Sequence, residues 1–344
     1  MKRISFVLSL VTASVYSMSI PTQTIISAGE PGIVLLEHVN INVPVDSPSL
    51  PFYTSEEGLN LPLDTRKSFN IPVFGQKTLW VNAGASQIHL PTGPTGQHFR
   101  GRIGLLTDGP ITSYLPNAIS STPDPNPSCV LKSPEGQEFH IRPATESKID
   151  LLTYRGTFWS ADQNLTPTGT ETTPPPLSTT YGKDPPSPST GSIIGLDYVR
   201  SSVPPSTVPS ILNFYSHLFG STVSSPTPGT GIISIGGITP SGFPIQSLIY
   251  TEDSSTTPYD GHHLAVYVGG GIPGFREVFK RARELGVVWV NPRFSDEAME
   301  IEEAMECMQF RFKDIVDVES KEVLFEMEHE VRCSEHKDNR SNLD

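Results

Sequence analysis

Cysteine is scarce in this chain. Its 344 residues hold three, Cys129, Cys307 and Cys333, and no two are spaced as CxxC, which excludes a zinc ribbon or a thioredoxin-like redox pair. One disulfide with a thiol left over stays open; a disulfide-stapled scaffold does not. Charge is sparse as well, at 18% of residues, and cations are the minority: 24 Lys and Arg stand against 37 Asp and Glu, a formal net charge of -13. Without a basic excess, nucleic acid is not expected as a partner. The acidic surplus gathers in runs such as Asp296–Glu306, read as a solvated face. Long apolar runs are missing too. The longest, Ile4 to Met18, follows Lys2 and Arg3 and is too short for a membrane span. Residues 1–22 therefore read as a targeting segment, a secretory signal peptide first and a plastid presequence as the alternative, with no span in the mature protein.

Proline and glycine are abundant, at 33 and 28, which points to tight turns, short strands and an extended linker. That linker is 160–192, rich in Pro, Thr and Ser and without hydrophobic periodicity, so it buries too little apolar surface to fold. It separates a first domain at 30–148 from a second at 193–334, with a polar tail at 335–344.

The two halves share a grammar. In LLEHVNINV, Val39, Ile41 and Val43 alternate with His38, Asn40 and Asn42, a half-buried strand. Helical spacing follows in SLPFYTSEEGLNL, then strand-like KTLWVNAG, SQIHLPTG and GRIGLLTDG, a short helix near ITSYLPNAI, and SPEGQEFHIRP. The second half answers with IIGLDYVRSSV, the helix VPSILNFYSHLFG stopping at Gly220, strands TGIISIGG, PIQSLIYTED and GHHLAVYV, the helix PGFREVFKRARELG, and the closing strand-like runs VVWVNPRF, CMQFRFKDIVD and VLFEMEHEV. The class is α+β, with each half written as βαβββ twice.

LEHVNINV before a helix carrying FY, the GRIGLL strand and the closing SPEGQEFHI resemble the glyoxalase/bleomycin-resistance/extradiol-dioxygenase (vicinal oxygen chelate) superfamily. NFYSHLFG, HHLAVYV and LFEMEHE repeat the marks in the second half. The resemblance spans about Ile33–Pro143 and Ile193–Arg332 and implies two tandem domains. Each would be a pair of βαβββ modules curled into a half-open cup that holds a divalent metal (Zn, Mn, Fe or Ni), or none, on its first, fourth, fifth and eighth strands.

Carried over residue by residue, the resemblance assigns His38, His89 and His140 as metal ligands of the first domain, with Arg102 at the fifth-strand position as a clamp for a substrate carboxylate. That set lacks the carboxylate of a 2-His-1-carboxylate iron site. In the second domain it assigns the weaker pair His263 and Glu326, with Tyr198 at the first-strand position. Asn40, Arg102 and Tyr198 are the expected substrate contacts. His262 and His263 are neighbours on one strand and so face opposite ways, with His263 inward; Trp80, Trp289 and Phe310 read as core. The implied function is metal-dependent lyase, isomerase or dioxygenase chemistry on a small oxygen-rich molecule. The alternative is a metal-free small-molecule binder of the bleomycin-resistance type. In both readings the two domains pair within the chain, and the first carries the polar site.

Overall fold

The computed structural model describes residues 31–44, 49–62, 78–122, 127–145, 148, 193–239, 242–255, 257–294 and 298–336. The targeting segment and the linker fall outside these residues, as does most of the polar tail.

Strands β1 (Ile33–Asn40), β2 (Val43–Pro44), β3 (Thr78–Ala83) and β4 (Ser86–Gly93), with helix α1 (Ser49–Thr54), form the first module. The second comprises β5 (Arg102–Thr107), β6 (Ser120–Thr122), β7 (Ser128–Lys132) and β8 (Glu138–Pro143). The third is β9 (Ile193–Val203), α2 (Val208–Phe219), β10 (Val223–Thr227), β11 (Thr230–Ile238) and β12 (Pro244–Glu252). The fourth is β13 (His263–Val268), α3 (Gly271–Leu285), α4 (Ile301–Cys307), β14 (Gln309–Val316) and β15 (Val323–Cys333). In place of a helix near ITSYLPNAI there are two 3₁₀ turns, Ile111–Ser113 and Leu115–Asn117. Pro116 has no N–H to continue an α-helical ladder. Helix α2 stops where the sequence indicates, with Gly220 at φ 68°, a left-handed conformation that favours glycine.

The modules pair across the linker. One sheet runs β14-β15-β13-β1-β4, with β3 on β4, and so joins the first module to the fourth; the other runs β10-β11-β12-β9-β5-β8-β7-β6 and joins the third to the second. The junctions are antiparallel, β1 on β13 and β5 on β9. Each cup thus takes one module from each half, which departs from the arrangement expected from the sequence, a cup within each half. The two sheets share one buried core, in which Leu36, Val39, Ile88 and Leu264 join Ile103, Leu105, Leu196 and Val199. Each such side chain contributes about 1.5–3 kcal/mol of burial. Between the sheets lies Gln246, whose Oε1 accepts from the N–H of Leu36 at 2.9 Å and whose Nε2 donates to the carbonyl of Leu196 at 2.9 Å.

The residues next to those two leucines break the ladder. Register shifts set Glu37 in a bulge of β1 and Asp197 in the matching bulge of β9. A bulge adds one residue and re-aims a side chain, so an acid joins the polar face in both cups. Cys129, Cys307 and Cys333 are joined by no disulfide.

Candidate metal centre

In β1 the apolar side chains of Leu36 and Val39 turn to the core, which leaves His38 and Asn40 on the opposite face. Register then assembles the cup. Asn40 stands opposite both His263 and His89, His38 opposite Gln87 and Ala265, His263 beside Glu328, and Ala265 beside Glu330. Paired residues share a face of the sheet, so these side chains converge. All the polar ones are buried, with His38 at 1%, His263 at 1% and Glu330 at 3% exposure.

Ligand atoms of His38, His263 and Glu330 lie within 4.8 Å of one another. The carboxylate that the first half lacked is therefore present: two histidines and one glutamate meet, drawn from modules one and four. Nδ1 of His38 hydrogen-bonds to the carboxylate of Glu37, while its Nε2 is buried with no hydrogen-bond partner. An imidazole held by a carboxylate on one nitrogen and bare on the other is the arrangement of a metal-bound histidine. Burial holds the His263 imidazole well below its ordinary pKa, and nearby Arg311 adds to the effect, so it is neutral and able to ligate. Burial works to raise the carboxyl of Glu330, but Arg311 and Arg332 outweigh it and keep the group well below the usual carboxylate range. Nη2 of Arg311 donates to Glu330 Oε2 at 2.5 Å, and Arg332 donates to Oε1. Each carboxylate oxygen has a second lone pair, so these bonds leave it able to bind a cation. The donor set fits a divalent metal.

The wall of this cup is aromatic. His89 is sandwiched between His38, at 3.7 Å between ring centroids, and Trp80, at 3.9 Å. His89 thus buttresses His38 rather than joining the three converging ligands, and Trp80 lines the cup instead of entering the core, which Phe310 does. Phe294 meets His263 edge-on at 5.6 Å, and the Arg311 guanidinium lies 4.3 Å over its ring. Asn40 keeps a buried amide oxygen without a hydrogen-bond partner.

The remaining expected site residues lie elsewhere. His140, Arg102 and Tyr198 belong to the other sheet, where Nδ1 of His140 bonds to the Tyr198 hydroxyl at 2.7 Å and Arg102 Nε donates to Glu138 at 2.7 Å. Burial lowers the pKa of His140 and pushes that of Tyr198 up to about 12. His140 is therefore not a partner of His38 and His89, because its strand pairs with β5 and not with β1. Glu326 sits at the rim, with Lys313 Nζ at 2.8 Å. The register of β13 on β15 brings Glu328 and Glu330 to the side of His263 and Ala265 instead, and both are buried. His262 points the other way, onto Asp260 at 2.6 Å and the Phe99 ring at 4.3 Å. Glu37, Arg311, Glu328, Glu330 and Arg332 escaped the sequence reading. Alternation in LFEMEHE sets Glu326, Glu328 and Glu330 on one face of the strand and is the one signal in the residues for a carboxylate here.

Similar solved structures include glyoxalases. Glyoxalase I from Zea mays is 13% identical, with 88% of this chain and 92% of that one covered, at a TM-score of 0.48. Lactoylglutathione lyase from Agrobacterium tumefaciens is 14% identical over 32% of this chain and 93% of that one, at 0.23. A variant of the fosfomycin resistance protein FosX from Listeria monocytogenes, complexed with Mn(II) and 1S,2S-dihydroxypropylphosphonic acid, is 16% identical over 40% and 91%, at 0.26. No protein family and no curated protein matches the chain in sequence.

Proposed function

We propose that the chain is a divalent-metal-dependent enzyme of the vicinal-oxygen-chelate type, with its centre in the cup built from modules one and four. The observation that carries this reading is the convergence of His38, His263 and Glu330 with the His38 Nε2 left bare. Two imidazoles and a carboxylate are the donor set of non-haem Fe(II) sites, and Mn, Zn or Ni are accepted by the same ligands. A metal held there would polarise two neighbouring oxygens of a small substrate.

The protein's own residues supply the rest. Glu37 fixes the His38 ring, and Arg311 and Arg332 hold Glu330. Phe294 covers His263 and limits access of water. Asn40 offers its unpartnered amide oxygen as an acceptor for a substrate hydroxyl. Glu328, raised in pKa by burial and held by Asn291 Nδ2 at 2.8 Å and Arg311 Nη1 at 2.7 Å, is placed to take or return a proton. This supports lyase, isomerase or dioxygenase chemistry over sequestration alone, since a binder needs neither an oriented imidazole nor a buried carboxylate with raised pKa.

Metal analysis of the purified full chain, combined with turnover assays on catechols and on 2-hydroxy ketones, tests the proposal. One divalent ion per chain is expected, lost in His263→Ala and in Glu330→Gln and kept in His140→Ala. A chain that binds no metal, or binds it equally in all three variants, would overturn it.

A further inference from the structure

We propose that the mouth of the second cup is a metal-independent binding site for a small organic anion bearing a carboxylate or a phosphate group. A cavity of about 500 Å³ opens there, walled by Arg100, Arg102, Arg200, Ser202 and Thr251, with Glu138 beside them. That volume suits a small ligand. Of the acids around it, one is charge-paired and two are held by neutral donors. Glu138 holds Arg102, Glu252 accepts from the N–H of Val208 at 3.1 Å, and Asp253 accepts from the backbone N–H and hydroxyl of Ser255, each at 2.8 Å.

Two guanidiniums are left. Among the described residues neither Arg100 nor Arg200 has a carboxylate within ion-pairing distance. Arg200 Nε donates to the Thr251 hydroxyl at 3.1 Å; the Arg100 guanidinium lies 4.6 Å over the Phe325 ring, with its Nε buried and without a hydrogen-bond partner. An unmade buried donor is unfavourable by about 1–3 kcal/mol, and the planar fork of arginine pairs best with an oxyanion. The local sequence makes this geometry. A Cβ on Gly101 would lie 2.2 Å from the Arg200 carbonyl, so glycine alone lets the segment carrying Arg100 and Arg102 close against β9. The hydroxyls of Ser202 and Thr251 add neutral donors. Among the described residues, a group of three metal-ligating side chains occurs in the first cup and not here, so this site and the metal centre are separable.

The test is calorimetric titration of the full chain in EDTA, with inorganic phosphate in one arm and succinate in the other. Saturable binding of at least one anion is expected, and the tighter arm identifies the group recognised. Arg200→Gln, which removes one charge-assisted partner, and, separately, Ser255→Glu, which sets a like charge on the exposed rim, should each weaken it about tenfold, while His263→Ala leaves it unchanged. Should Arg200→Gln fail to fold, Ser255→Glu decides alone. No saturable binding of either anion, binding indifferent to the substitutions, or binding abolished by His263→Ala would overturn the proposal.

Discussion

Glu37 and His38 are neighbours in the chain, yet the glutamate carboxylate accepts the hydrogen bond from Nδ1 of the histidine. In a regular strand their side chains would point to opposite faces. The bulge between Leu36 and His38 puts both on the cup side, and the second contact of Glu37, with Arg332 Nη1 at 3.4 Å, ties the pair to β15.

If that carboxylate fixes the tautomer of His38, Glu37→Gln should weaken divalent-metal binding by about 10- to 100-fold with the fold intact. Competition against a chelating dye measures it. An unchanged affinity would leave Glu37 a purely structural residue.

Arg311 divides its guanidinium between Glu328 and Glu330, and all three are buried. Arg311→Met leaves Glu328 with Asn291 and Glu330 with Arg332 in a low-dielectric interior, where losing one partner of a buried pair destabilises by about 3–5 kcal/mol. Urea unfolding should register that loss. A change below about 1 kcal/mol would mean that water reaches the cup and solvates the acids.

His329 predicts a pH dependence. Its Nδ1 faces the Met327 carbonyl at 2.8 Å and its Nε2 the Tyr215 hydroxyl at 2.7 Å, while burial pushes its pKa down to about 3 from an ordinary 6.5. The unfolded chain therefore binds this proton first. The contribution is complete above about pH 6.5 and is lost as the pH falls towards 3, at a slope approaching 1.4 kcal/mol per pH unit. His329→Gln should flatten the stability profile in that window, and a profile parallel to the parent's would contradict the assignment.

Gly104 faces the Tyr198 ring so closely that a Cβ would lie 2.4 Å from it. Gly104→Ala should displace the ring, stretch the bond to His140 and destabilise the chain by about 1–3 kcal/mol. Thermal melting tests the stability. Metal affinity at the first cup should not move, because Gly104 and Tyr198 belong to the other sheet.

Much of this was legible in the residues. Alternation in LLEHVNINV assigned His38 and Asn40 to a polar face, glycines marked the ends of α2 and α3, and the adjacent pair His262 and His263 had to diverge. The β1 bulge was not legible, because a two-residue period shows no extra residue until a partner strand reveals the shift. Nor could alternation choose among Glu326, Glu328 and Glu330, which share a face; pairing sets Glu330 beside Ala265, which stands opposite His38, and its ligand atom joins those of His38 and His263.

By itself, the sequence determined most of the strands and helices, the polarity of the strand faces and the α+β class, since these depend on contacts a few residues apart. The tertiary structure alone decided which modules pair. His38 and Glu330 lie near opposite ends of the chain, and they meet because the exposed edges of β1 and β13 satisfy each other's backbone hydrogen bonds and close one core. Local periodicity encodes which side chains need a partner, and long-range pairing supplies it.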